Sequence, residues 1–375
     1  MLSETRKKVL VCPLDWGWGH ASRMIPIIHL LSHHYNFEVL LGLSGSSGQM
    51  LQKEFPRLKA VQMPSPRISY SSGESQARKI LWQLPKILKT ILIEHIYLKK
   101  LIKEEQISCV ISDHRYGLFQ RDIVNILVIH QIQMKFPDGL KPAEKIFNWI
   151  QYCIFRRFTQ VWIPDFTGKE SVAGSLSTPP GRGNFYNLGI LSRFLMENPV
   201  ISYNLERSYD IVVVLSGPEP QRSLLEEILI GQLESLDKEV LFVRGIAEEE
   251  TSAKRKNIRL VSRLPHHEMA AALAAAGLVI CRSGYSSIMD LMALGKKAIL
   301  IPTPGQTEQE YLAEYLKKKG YFYSQKQRML DISRALIISE RYCPPEVPDF
   351  SKGLYERLEW LTKWLEKHKC KHQNG

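Results

Sequence analysis

Cysteine is scarce and scattered in this chain: Cys12, Cys109, Cys153, Cys281, Cys343 and Cys370 form no CxxC pair. Such spacing excludes a disulfide framework and offers no zinc-ligand pattern, which leaves buried free thiols as the reading. Long apolar runs are missing as well. The longest candidate, Met269 to Cys281, is alanine-rich and falls short of the about 18 residues a membrane-spanning helix needs. The opening residues, MLSETRKKVL, lack the apolar core and cleavage site of a signal peptide, so the cytosolic side is the expected location. No zinc finger or aromatic-basic single-strand motif occurs, and nucleic acid is therefore not an expected partner. Low-complexity tracts are absent too, and 44% hydrophobic against 23% charged residues excludes a disordered chain.

What is present is enough chain for two cores, since 375 residues exceed the about 100 to 200 of one domain. Charge is unevenly shared. Residues 1–195 hold 25 Lys+Arg against 14 Asp+Glu, a balance of +11, whereas 196–375 hold 25 against 24, a balance of +1. The first half is thus suited to something anionic, and the missing nucleic-acid motifs leave lipid headgroups or a phosphorylated molecule.

Short β-branched runs alternate with helical stretches throughout, the pattern of parallel sheets covered by helices. In the first half, strands are expected at Lys8 to Cys12, Phe37 to Leu43, Ala60 to Met63, Ser108 to Ser112, Ile126 to His130 and Gln160 to Ile163, with a helix at Ala21 to Leu31. From Leu84 onward Ile87, Leu88, Ile91, Leu92, Ile96, Leu98, Leu101 and Ile102 keep helical spacing, with Pro85 in the first turn or at a kink. After a polar connection near Asn198 to Ser208 the pattern restarts. Strands are expected at Asp210 to Leu215, Val240 to Val243, Arg259 to Val261, Leu278 to Cys281 and Ala298 to Ile301. The expected domains are therefore 1–195 and 208–350. A final amphipathic helix in 351–375, marked by Leu354, Leu358, Leu361 and Leu365, is able to pack back on the first domain.

Five loops at strand ends carry chemistry. Asp15-Trp16-Gly17-Trp18-Gly19-His20-Ala21-Ser22-Arg23 sits between the first strand and helix, where glycines permit a tight turn and His20 is an imidazole at a helix start. As a dinucleotide fingerprint it fails, because Ser22 stands where a third glycine belongs and no acid ends the second strand. Ser112-Asp113-His114-Arg115 ends another strand at the same edge; Asp113 either orients His20, acts as the base itself, or merely caps the turn. In the second half, Arg282-Ser283-Gly284-Tyr285-Ser286-Ser287 precedes a helix carrying Asp290, expected in its first turn. Amides and the dipole of such a helix start suit a diphosphate. Ser216-Gly217-Pro218-Glu219-Pro220-Gln221-Arg222 and Gly305-Gln306-Thr307-Glu308-Gln309-Glu310 come to the same edge, with Arg222 available for phosphate. A nucleotide ligand is the sharper reading; ordinary N-caps and surface loops are the plainer one.

Cys281 to Tyr321 closely resembles the donor-binding segment of MurG-like enzymes, glycosyltransferase family 28, and Gly19-His20 with Pro26 resembles that family's Gly-His loop. The resemblance implies the α/β GT-B fold, two Rossmann-like domains facing across a cleft, and inverting transfer of a hexose or N-acetylhexosamine from a UDP-sugar. The acceptor it implies is lipid-linked or a glycan of the cell envelope. It also implies that Asp290 holds the ribose, that Ser283, Gly284, Tyr285 and Ser286 with Arg282 and Gly217 receive the phosphates, and that Leu264 to His266 reads the base. Gln309 and Glu310 stand where the family has two sugar-reading glutamines, so Glu310 is a departure. His20 and Asp113 are the catalytic candidates, and Gly17, Trp18, Gly19 and Arg115 the acceptor-binding ones. No Asp-x-Asp occurs, so no metal and no cofactor beyond the nucleotide-sugar is expected. A nucleotide-sugar epimerase of the same fold and an inactive nucleotide-sugar-binding protein are the alternatives. Finally, Lys86, Lys89, Lys100 and Lys103 beside the long helix's apolar stripe resemble a contact for an anionic membrane surface. So does Lys141 to Phe158, with Lys145, Phe147, Trp149, Tyr152, Phe155, Arg156 and Arg157. Packing of both stripes into their own domain is the competing expectation.

Overall fold

A computed structural model describes residues 6–15, 17–64, 76–136, 141–196, 209–246, 252–346 and 351–368. Trp16, the connection at 198–208 and Cys370 lie outside the described residues, as do the side chains of Leu84 and Ile87. The described parts of residues 1–69, 77–196 and 349–375 form one compact unit, and those of 70–76 and 197–348 form a second.

Unit 1 is built on seven strands: β1 (Lys8–Cys12), β2 (Glu38–Leu43), β3 (Lys59–Gln62), β4 (Ile107–Asp113), β5 (Val124–Val128), β6 (Gln160–Ile163) and β7 (Phe185–Asn187). They lie in the order β3-β2-β1-β4-β5-β6-β7, all parallel. The two-residue period decides which layer each side chain joins. On β1, Val9 and Val11 enter a core with Met24, Ile27 and Ile28 of the helix Trp18–His29. Leu10 and Cys12 point the other way, to Leu98, Leu101 and Ile102 of the helix Gln76–Glu105. The last helix, Lys352–Lys367, spaces Leu354, Leu358, Leu361 and Leu365 along one stripe and buries all four in the Val9 layer of this unit. Burial of each leucine contributes about 1.5 to 3 kcal/mol at most.

Unit 2 repeats the plan with β8 (Ile211–Val214), β9 (Val240–Val243), β10 (Ser252–Arg255), β11 (Ile258–Val261), β12 (Leu278–Cys281), β13 (Ala298–Leu300) and β14 (Tyr323–Ser324) in the order β10-β11-β9-β8-β12-β13-β14. All neighbours are parallel except β10 against β11, which makes one edge antiparallel. Three strands have no counterpart among the expected ones. β10 is exposed along its length, β14 has two residues and β7 three, so none offers the apolar alternation that marks a strand. β5 begins two residues before its expected start. Asn125 is buried there because its amide donates to the Gln120 and Ile123 carbonyls and its oxygen accepts from Gln120 N at 2.8 Å.

The long helix does not bury its whole apolar stripe. Leu98, Leu101 and Ile102 are core residues, but Leu88, Leu92 and Ile96 are about 60% exposed, with Ile93 beside them. Lys86, Lys89, Lys99, Lys100 and Lys103 are exposed on the same helix. On the helix Lys141–Phe155, Phe155 and the following Phe158 are buried, whereas Ile146, Trp149 and Ile150 are exposed next to Lys145. No helix among the described residues is long and apolar enough to cross a membrane.

Candidate functional site

Each sheet reverses its strand order once, between β1 and β4 in unit 1 and between β8 and β12 in unit 2. Ligands of open α/β sheets bind outside the carboxyl ends of the strands at such reversals. His20 after β1 and Asp113 at the end of β4 lie there in unit 1, as do Gly217 after β8 and Arg282 to Asp290 after β12 in unit 2.

In unit 1, Gly17 caps the helix Trp18–His29 with φ 141°, a conformation suited to glycine. Gly19 follows inside the first turn, and Trp18 stays 41% exposed. His20, one residue further along, reaches across to β4. Its Nδ1 lies 2.7 Å from Oδ2 of Asp113, which is fully buried. Three residues on, Arg23 donates from Nε to the same oxygen at 3.0 Å and from Nη1 to His130 Nδ1 at 2.9 Å, and its Nη2 lies against His20 Nδ1. His114 Nδ1 meets the other carboxylate oxygen at 2.9 Å. Burial first, then the Arg23 charge, pushes the His20 imidazole down to about 3. Against the cost of burial, Arg23 and His20 hold the Asp113 carboxyl well below the usual carboxylate range. The ring of His20 is therefore neutral near pH 7; with its proton on Nδ1 it donates to Asp113 Oδ2 and Nε2 is the proton acceptor, and Arg23 Nη2, itself a donor, then only packs against Nδ1.

His20, Asp113 and His114 offer ligand atoms within 4.8 Å of one another, close enough for one metal ion. Arg23, however, already places its cation on His20 Nδ1 and Asp113 Oδ2, so the guanidinium occupies the contacts such an ion would need. Arg115 corrects an expectation. It is 1% exposed, pairs with buried Glu94 at 2.9 Å, and donates to Ser44 Oγ and to the Pro13 and Pro64 carbonyls. A guanidinium so buried, with four of its five N–H groups engaged, ties the loops of unit 1 together.

In unit 2 the loops after β8, β12 and β13 are knitted at one edge. Arg282 donates to Gln221 O at 2.7 Å and to the Ile301 and Pro302 carbonyls, and Ser283 Oγ donates to Gln309 O at 2.8 Å. Gly217, at φ 106°, leaves open space except for Thr303 Oγ1 at 3.9 Å from where a Cβ would be. Gly284 heads the helix Tyr285–Ala293 with no side-chain cap, next to Ser286. Tyr285 is buried at its start, and Asp290, also buried, falls in the second turn instead of the first. Leu264 and His266 reach the same edge after β11, three strands along from β12.

Two arginines there do not serve as expected. Arg222 is neutralised by Glu219 at 2.6 Å and Glu226 at 2.7 Å, so its charge is already satisfied. Arg282 is 1% exposed, and burial lowers it to about 10; its Nη atoms brace the loops, while its buried Nε has no hydrogen-bond partner. Gln309 and Glu310 partly serve their own loop, since Gln309 Oε1 accepts from Thr303 N at 2.9 Å and Glu310 Oε1 from Gly305 N at 3.1 Å.

The sequence reading included Arg23 in the first loop motif and His130 at the end of a strand but gave neither a role. Arg23 was legible, because i and i+3 share a helix face; His130 was legible as a polar residue just past β5, the neighbour of β4.

Comparison with known proteins gives the site a context. Residues 211–336 match the model of the glycosyltransferase family 28 C-terminal domain. Over 352 residues the chain is 28% identical to a Haemophilus influenzae UDP-N-acetylglucosamine--N-acetylmuramyl-(pentapeptide) pyrophosphoryl-undecaprenol N-acetylglucosamine transferase, covering 91% of this chain and 88% of that one. A protein of the same name from Caldanaerobacter subterraneus is 29% identical over 154 residues, 39% of this chain. The match spans only 36% of that relative's length, and 15% of the length of one from Desulforudis audaxviator. Among solved structures, Acinetobacter baumannii MurG superposes with a TM-score of 0.54 at 12% identity, covering 96% of this chain and 100% of its own. The calicheamicin glycosyltransferase CalG4 gives 0.62 at 11% identity, covering 97% and 99%. These likenesses place the two sheets in the GT-B fold.

Proposed function

We propose that this chain, a MurG-like protein of the GT-B fold with a family 28 C-terminal domain, is a glycosyltransferase that moves a hexose or N-acetylhexosamine from a UDP-sugar to a lipid-linked acceptor. The observation that carries this reading is the buried Asp113 carboxylate 2.7 Å from His20 Nδ1, at the strand reversal of unit 1. An acceptor hydroxyl attacks the anomeric carbon, its proton passes to His20 Nε2, and the bond to the diphosphate breaks with inversion. Asp113 is the orienting group and not the base, because both its oxygens are engaged and Arg23 holds it ionised. In unit 2 the start of the helix at Tyr285 and the Gly217 turn receive the diphosphate, and the charge leaving with UDP is met by amides and the helix dipole. Asp290 takes the ribose, Leu264 to His266 the base, and Gln309 with Glu310 the sugar.

Acceptor-dependent UDP release from UDP-N-acetylglucosamine tests the reaction. Release or sugar interconversion without acceptor would favour the epimerase, and no turnover with any UDP-sugar the inactive binder. Arg23 fills the contacts of a cation, so saturating chelator is expected to leave the rate unchanged; a strict need for added divalent ion would refute that. Asp290→Ala is expected to weaken UDP binding by about 1.5 to 3 kcal/mol through lost hydrogen bonds to a carboxylate. Isothermal titration with UDP checks it, and unaltered affinity would remove Asp290 from the site.

The exposed Leu88, Leu92, Ile93 and Ile96 among lysines, and Ile146, Trp149 and Ile150 beside Lys145, support a peripheral membrane contact for unit 1. Apolar side chains enter the headgroup boundary while each nearby Lys contributes about 1 kcal/mol against anionic lipid. Co-sedimentation is expected with anionic vesicles at low salt, to weaken at high salt, and to be slight with neutral vesicles. Protein remaining in the supernatant with anionic vesicles at low salt would make a soluble acceptor the better choice.

A further inference from the structure

His114 is the one residue of the His20–Asp113 cluster whose geometry runs against its own comfort. It follows β4 directly, its N–H still donating to Val128 O at 3.1 Å as the last rung toward β5. Its φ is +53°, a left-handed conformation that residues with a Cβ seldom adopt. Its Nε2 is buried and without a hydrogen-bond partner. Strain and an unsatisfied nitrogen at one position are costs that persist where the surroundings use the conformation.

The use is visible in the contacts. In an extended strand successive side chains point to opposite faces, so His114 would turn away from Asp113. The left-handed turn brings it back. Nδ1 then meets Asp113 Oδ1 at 2.9 Å, while the ring stands edge-on to His20 at 5.2 Å and against His130 at 4.7 Å. With Oδ1 held by His114, the carboxylate cannot swing, and Oδ2 stays on His20 Nδ1 and Arg23 Nε.

We propose that His114 is a positioning residue: it donates Nδ1–H to Asp113 Oδ1, fixes the carboxylate plane, and thereby sets the tautomer in which His20 presents Nε2 to the acceptor hydroxyl. This rests on His20 as the base. Packing alone would make the ring's shape matter; positioning makes its N–H matter. His114→Asn tolerates the left-handed turn and offers an amide N–H; His114→Phe keeps a ring and loses the donor but fits that turn less well, so the His20 tautomer, which backbone strain alone does not set, decides alongside turnover.

The test uses the full chain and compares turnover of both variants with wild type, with thermal unfolding as the check on folding. His114→Phe is expected to lose about 10- to 100-fold in kcat, with KM for both substrates little changed, the order found for hydrogen-bond partners that orient metal-ligating imidazoles. His114→Asn is expected to recover most of that loss. In ¹⁵N-histidine spectra, His20 is expected to be the Nδ1–H tautomer in wild type and His114→Asn, and a mixture in His114→Phe. The reverse order, with Phe active and Asn impaired, or a His20 tautomer indifferent to both changes, would overturn the proposal. Should His20→Ala itself keep full turnover, the base assignment falls, and the tautomer spectra still decide whether His114 positions the pair.

Discussion

Replacing His20 by alanine is expected to lower kcat by about 100- to 10,000-fold, the usual worth of a general base, while donor affinity is unchanged. The residue belongs to the unit that does not carry the family 28 domain, so removing it takes nothing from the groups assigned to the nucleotide. The pH dependence gives a sharper signature. Burial and Arg23 lower the imidazole to about 3 from its ordinary 6.5, so His20 is already in its proton-accepting form at neutral pH. Its folded value is depressed, and the base form is lost only as pH falls toward that value. The acid limb of kcat/KM is therefore expected well below 6.5, with little decline between about pH 8 and 5. Arg23→Gln removes the second of the two causes and is expected to move the limb upward. A wild-type limb near 6.5 that Arg23→Gln does not shift would show that this cluster does not set the titration, and near-normal turnover of His20→Ala would return the role to another group.

How far the sequence led can be judged from particular residues. β1, β6, β9 and β12 fell where apolar runs between polar loops placed them, because in a parallel sheet buried on both faces such runs have no other use. The strand reversals that bring His20 to Asp113 lie in pairing order, which no local pattern encodes. Their separation of 93 residues is bridged by β1 pairing with β4. The arginines misled for a related reason. Charge and position in a loop do not say whether a guanidinium faces solvent, and Arg115, Arg222 and Arg282 each turn most of their donors to carboxylates or carbonyls that the fold supplies. For the long helix the sequence left two expectations open, a membrane contact and packing into its own domain. Apolar spacing alone marks a stripe but not what covers it, and Leu88, Leu92 and Ile96 remain outside the core.

Asp113→Asn carries the second large effect, and it has two parts that a single measurement would confuse. The change keeps the shape and removes the charge. An amide can turn its NH2 toward His20 Nδ1, which forces the proton onto Nε2 and removes the acceptor lone pair; in a Ser-His-Asp triad that wrong tautomer costs about 10⁴-fold in kcat. A loss of that order is expected here. Arg23, 3% exposed, also loses its counter-ion, and an uncompensated buried charge destabilises by about 3 to 5 kcal/mol. Urea unfolding should therefore show the unit 1 transition at lower denaturant. The double variant Arg23→Met with Asp113→Asn separates the parts, since it removes the orphaned cation without restoring the carboxylate. It is expected to regain most of the stability and none of the turnover. Recovery of both would make Asp113 a counter-ion for Arg23 and nothing more, and the orientation of His20 would then have to come from His114 or from the substrate.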